Sequence, residues 1–215
     1  MAKFLTPKNI ILLVAAVIVF FSFVQFSYIV HKNIFTQFDF DTTVRIQDHF
    51  SHKWDLPFSL LSLIGSAEVV AGILAVLLIV RRKIWSGIVV FGFFGAFHLF
   101  EIYGKAFVTH PGPPFMFFRN DLPFEMPSSY VRPGSSYPSG HSARALFLTV
   151  VIAFMVIKSK KINIPIKLLI SCGLIFYNIA MLASRIYLGE HWTTDVIGGS
   201  LLGLAFGLLS GIVLL

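Results

Sequence analysis

Val196 to Leu215 reads VIGGSLLGLAFGLLSGIVLL, twenty residues without a single charge. A helix rises about 1.5 Å per residue, so a run of about 20 apolar residues matches the hydrocarbon thickness of a bilayer. Working outward from this stretch, five more runs have the same character: Ile10 to Val30, Pro57 to Val80 (interrupted by Glu68), Ile84 to Tyr103, about Gly140 to Ile157, and Ile166 to about Ile186. The fourth of the six, from Gly140, is the shortest. The first exceeds the 7–15 apolar residues usual in a cleaved signal peptide, and no convincing small-x-small site follows it, so it is read as a span. The expectation is an all-α integral membrane protein with six transmembrane helices in one domain, residues 1–215.

Composition agrees. Of 215 residues, 56% are apolar and 13% charged, whereas a soluble domain carries about 25% charged residues. Ionised side chains are costly in hydrocarbon, which explains the deficit. The formal charge is +7, but its placement argues for topology and against nucleic acid as a partner. Lys3 and Lys8 precede the first span, Arg81, Arg82 and Lys83 join the second to the third, and Lys158, Lys160, Lys161 and Lys167 lie between the fourth and fifth. Asp39, Asp41, Asp48, Asp55, Asp121 and Glu125 lie on the opposite side. Basic connections stay in the cytoplasm, so both termini are expected there. Connections 31–56, 104–139 and 187–195 would then face outward. The first of these is either an interfacial helix or an irregular loop held by its aromatics. Cys172 has no partner for a disulfide or a metal site and is read as packing.

The polar residues with chemical potential gather on that outward side. One segment reads Tyr137-Pro138-Ser139-Gly140-His141-Ser142, another Ser184-Arg185-Ile186-Tyr187-Leu188-Gly189-Glu190-His191-Trp192-Thr193-Thr194-Asp195, and Lys105 ends the third span. Pro and Ser suit a helix start, whose unpaired N–H groups and dipole attract phosphate. Ser139 adds a hydroxyl, and His141 could supply a proton. His191 and Asp195, four apart, share a face of a helical turn. An Asp bonded to one imidazole nitrogen fixes the tautomer and leaves the other free to attack. Arg185 could pair with phosphate oxygens in a bidentate manner, and Lys105 would add a mobile charge. Each residue alone has a plain reading as a turn, an interfacial His or a snorkelling base. Their convergence at the ends of four spans favours a site.

These residues resemble the phosphatidic acid phosphatase type 2 superfamily, whose pattern is Lys-x6-Arg-Pro, Pro-Ser-Gly-His and Ser-Arg-x5-His-x3-Asp. The second part matches at Pro138 to His141, the third at Ser184, Arg185, His191 and Asp195. The six apolar runs distinguish the chain from soluble haloperoxidases of the wider superfamily. The resemblance implies a lipid phosphatase working through a phosphohistidine. In it His191 is the nucleophile, Asp195 its orienting partner and His141 the general acid, while Lys105, Ser139, Gly140 and Arg185 hold phosphate. It implies no metal and no cofactor. The expected partner is a membrane lipid: a polyprenyl diphosphate such as undecaprenyl diphosphate, phosphatidate, or phosphatidylglycerol phosphate. The expected location is the plasma membrane of a prokaryote, with the site facing outward. A lipid phosphotransferase and a non-enzymatic lipid-binding relative are the competing readings.

The first part of the pattern departs. Lys105 and Pro113 fit, but Gly112 stands at the Arg position. Arg119 or Arg132, in the same connection, is the candidate replacement. Other polar residues keep two readings. Glu101 pairs with Lys105 on a stripe with His98, or lies in a polar seam between helices. Glu68, near the middle of the second span, is functional or a hydrogen-bonded neutral acid. Arg144 touches phosphate or anchors a headgroup. Phe115-Met116-Phe117-Phe118 and Phe124 anchor the connection at the interface or guide a lipid tail.

Overall fold

The computed structural model describes residues 6–124, 126–129 and 134–215. Lys3 and Glu125, used above for orientation, and Arg132, a candidate phosphate ligand, lie outside the described residues. The chain forms α1 (Pro7–His31), α2 (Thr36–His49), α3 (Asp55–Leu63), α4 (Ala67–Arg81), α5 (Ile84–Phe107), α6 (Gly140–Lys158), α7 (Ile164–Tyr187) and α8 (Thr193–Leu214), with short 3-10 turns between some of them. Among the described residues, five helices are long and apolar enough to cross a membrane, or six if one bent pair counts as a single span. Ile11, Phe21, Val76, Ile79, Leu99, Leu168, Leu169 and Phe176 are all exposed. Such an apolar outer surface suits lipid, with backbone polar groups paired inside helices.

α8 is the central helix, packed on α6, α1 and α5. Its glycines allow this. A Cβ on Gly199 would lie 2.1 Å from Ser139 O, and one on Gly203 2.0 Å from Ala143 O. Gly207 and Gly211 continue the stripe against Val150 and Phe154. Small residues every fourth position let two backbones approach, the usual device for helix contact in membranes. Phe97, Phe147 and Phe206 close the core beside them, at 5.2–6.3 Å between ring centroids. Tyr137 stacks on Phe23 of α1, and its hydroxyl meets Ser27 Oγ at 2.8 Å.

Two expectations are refined. The second span is not continuous. It breaks at Gly65-Ser66, and His52–Leu63 and α4 meet at 49°. Ser66 caps α4 by accepting a bond from Val69 N. Glu68 consequently lies in the first turn of α4, just after the break, and is exposed. Its carboxylate accepts bonds from Ser128 N and Oγ at 3.0 and 2.6 Å, while Ser128 Oγ accepts one from Ala67 N. The 31–56 connection contains a true helix, α2. Its buried stripe is polar, Asp39, Thr43 and Gln47. These residues dock on the chain ends below: Asp39 accepts from Thr194 N and Oγ1, and Gln47 Nε2 donates to Phe117 O and Tyr187 O.

The polar helix ends separate into two sets. Thr6, Lys8, Asn9, Ser86 and Lys158 gather at one end of the bundle. The C-terminal turns of α5 and α7 and the N-terminal turns of α6 and α8 meet at the other, where the candidate site lies.

Candidate active site

α6 begins where the sequence suggested. Ser139 caps it, its Oγ accepting from Ser142 N at 3.4 Å and from Ser142 Oγ at 3.1 Å. Ser139 N donates to Asp195 O, which joins the starts of α6 and α8. A cavity of about 560 Å³ opens beside this helix end, lined by Glu101, Lys105, Gly140, His141, Arg144, Glu190 and His191 among others. Ser139, Arg185 and Asp195 are fully buried behind this wall.

Glycine at 140 leaves room for these side chains: a Cβ there would lie 2.1 Å from Glu101 Oε1 and 2.7 Å from Arg144 Nη1 and would push both aside. Glu101 holds two cations at the cavity. Lys105 Nζ donates to its Oε1 at 2.8 Å, and Arg144 Nη1 meets its Oε2 at 3.3 Å. Arg144 Nε donates to Gly65 O at 2.7 Å. The break in the second span therefore supplies the acceptor that orients this guanidinium. Gly65 also packs on His141, leaving 2.9 Å between a built Cβ and His141 Cδ2. His98 does not join the cluster; its Nδ1 bonds Phe94 O within its own helix.

Arg185 Nη1 donates to Glu190 Oε2 at 2.6 Å, and Asn120 Nδ2 donates to Glu190 Oε1 at 2.9 Å. Arg185 Nη2 has no partner among the described residues. His191 Nδ1 lies 3.4 Å from Asp195 Oδ2, within ion-pair range but off the line of a hydrogen bond. Asp195 Oδ2 also accepts from Trp192 N at 2.9 Å. The turn carrying His191 depends on Gly189, at φ +66°, where a Cβ would fall 2.1 Å from Phe117 O. Phe117 is buried there, whereas Phe115 and Met116 are exposed.

Arg119 is placed elsewhere. Its Nη1 reaches Gln47 O and Phe50 O, each at 3.3 Å, and its guanidinium lies over the Tyr187 ring. It ties the connection to α2 and does not line the cavity. Arg144 does line it. Sequence reading gave no role to Glu190 or His110. Glu190 could have been suspected, as an acid within one helical turn and a half of Arg185. His110 had no such signal, because its partners lie 71 and 85 positions away.

Fold and site define a helical membrane protein with a histidine–aspartate pair, a second histidine and several cations around one cavity. The chain belongs to the PAP2 superfamily, whose sequence model matches residues 83–213. It is 34% identical over 125 residues to phosphatidylglycerophosphatase B of Bacillus subtilis strain 168, a match covering 57% of this chain and 55% of that protein. The match thus spans about half the length of this curated relative. The fold resembles the crystal structure of a transmembrane PAP2-type phosphatidylglycerolphosphate phosphatase from Bacillus subtilis, with TM-score 0.74 and 23% identity, covering 91% of this chain and 93% of that one. It also resembles LpxE of Aquifex aeolicus, with TM-score 0.61 and 23% identity, covering 80% of this chain and 94% of that one.

Proposed function

We propose that this protein is a lipid phosphatase that cleaves a lipid phosphomonoester or diphosphate through a phosphohistidine, on the extracytoplasmic side of a prokaryotic plasma membrane. The observation that carries the reading is the convergence of His141, His191, Lys105 and Arg144 on one cavity beside the start of α6. His191 Nδ1 faces Asp195, so Nε2 is the nitrogen free to attack phosphorus. As the P–N bond forms, the P–O bond to the lipid breaks, and His141 gives its proton to the leaving oxygen. His141 then takes a proton from water as that water attacks phosphorus. The P–N bond breaks, and inorganic phosphate leaves. Lys105, Arg144 and the N-terminal N–H groups of α6 meet the charge on the phosphoryl oxygens, with Arg185 acting from behind through its unpartnered Nη2. Arg144 takes the place of the guanidinium missing at Gly112.

The named activity of the Bacillus relative makes phosphatidylglycerol phosphate one candidate substrate; phosphatidate and a polyprenyl diphosphate such as undecaprenyl diphosphate are the others. The test is phosphate release from all three by detergent-purified protein in EDTA. The wild type should release phosphate from at least one, and His191→Ala should lose at least about 10³-fold. Undiminished release by that variant would remove His191 as nucleophile. Silence of the wild type on all three would sink the phosphatase reading for these lipids.

A further inference from the structure

The carboxylate that faces His191 is itself held by a residue the proposed reaction does not use. His110 lies in the connection after α5 and is 6% exposed. Its Nδ1 donates to Asp195 Oδ1 at 2.8 Å. Its Nε2 lies 3.7 Å from Asp39 Oδ2 on α2. Asp39 in turn accepts from Thr194 N and Oγ1, next to Asp195 in the first turn of α8. Two carboxylates from two helices thus flank one imidazole. The backbone of His110 is also fixed, since its carbonyl accepts from Ser136 N and Oγ. Its ring meets Tyr137 edge-on. The residue before it, Thr109, donates its N–H to His31 Nδ1 of α1. His110 does not line the cavity.

We propose that His110 is a positioning residue for the nucleophile, clamping Asp195 through Oδ1 and tying it to Asp39, so that Oδ2 stays aimed at His191. The division of labour follows from the contacts. Oδ1 belongs to His110, while Oδ2 serves Trp192 N and His191. Without His110, Asp195 could rotate about its side-chain torsions, and His191 would lose its orienting anion. Asp39 and Asp195 would also face each other with no cation between them. Burial alone would depress the His110 pKa, but the hydrogen bond to Asp195 and the charges of Asp195 and Asp39 outweigh it and raise the value. The imidazolium is therefore the form this site favours. Through α2, the clamp also couples the nucleophile to the bundle's outer helix.

The assignment rests on the proposed phosphohistidine chemistry, and its test has one activity arm and one independent of activity. His110→Ala should lower kcat about 10- to 100-fold with KM unchanged, the loss expected when one charge-assisted hydrogen bond goes. His110→Gln, which keeps an N–H donor for Asp195, should recover most of that loss. Both should stay folded in detergent, with His110→Ala melting below the wild type and His110→Gln nearer to it. In the second arm, ring NMR of ¹³C-histidine protein follows the titration of His191, identified by its loss in His191→Ala. Its midpoint should move in His110→Ala. A wild-type kcat in His110→Ala, a change in KM alone, or an unmoved His191 titration would overturn the assignment. So would a kcat loss that follows a lowered melting point with no rescue by Gln. If the wild type releases no phosphate but the His191 titration still moves, the clamp stands and the phosphatase reading falls.

Discussion

The two histidines of the cavity differ in what surrounds them. His191 faces a carboxylate at 3.4 Å. His141 sits at the start of α6 against Gly65, with Arg144 one turn on. An anion beside an imidazole supports positive charge on it, which suits a nucleophile that becomes cationic on phosphorylation. His141 lines the cavity beside the start of α6, where the proposed mechanism has it pass a proton to a leaving oxygen. His141→Ala should therefore matter most when the leaving alkoxide is poor. Rates measured across lipid or aryl phosphates of graded leaving-group pKa should show a deficit that shrinks toward zero for the best leaving groups. A deficit of equal size across the series would remove the acid role. Most of the site residues were legible as motifs, because each motif is one short run of sequence: Pro138 to His141 at the start of α6, and Ser184 to Asp195 from the end of α7 to the start of α8. Arg144 was visible but ambiguous. What holds its guanidinium at the cavity, the Gly65 carbonyl and the Glu101 carboxylate, comes from distant parts of the chain.

At the scale of elements, the spans were legible from length and hydropathy, both local properties. The break in the second span was less so, although Gly65-Ser66 followed by Glu68 is a helix-start signal within an apolar run. The docking of α2 was not legible at all, since its buried stripe is polar and apolar periodicity does not report it. The contact between α6 and α8 offers the sharpest test. Gly→Ala in a helix interior ordinarily gains about 1 kcal/mol from propensity. At Gly203 a methyl would lie 2.0 Å from a backbone oxygen that cannot move aside, and overpacking costs about 1–3 kcal/mol. The overlap should win, so Gly203→Ala should melt below the wild type in detergent. Gly173→Ala on α7 meets nothing within 4 Å and should melt at or above it. If both variants behave alike, the stripe is not what seats α8 on α6.

For the whole molecule, the separation of polar ends carries the topology. Lys8 and Lys158 gather at the end away from the cavity, with the charges of Lys83 and Arg81 acting on Lys158 there. The acids of α2 and the connections above lie at the cavity end. A membrane potential and anionic inner leaflet both retain the basic end inside. On the proposed orientation the cavity opens on the outer face, and a lipid phosphate would be met at the level of the headgroups. Cysteine accessibility measures sidedness directly. With Cys172, which is exposed, replaced by Ser, Asp48→Cys on α2 and Lys160→Cys between α6 and α7 report the two ends; both positions are exposed. A membrane-impermeant maleimide added to intact cells should label the Asp48 position, and should label the Lys160 position only after permeabilisation. The reverse pattern would put the cavity in the cytoplasm, and the source of its lipid substrate would then have to be the inner leaflet.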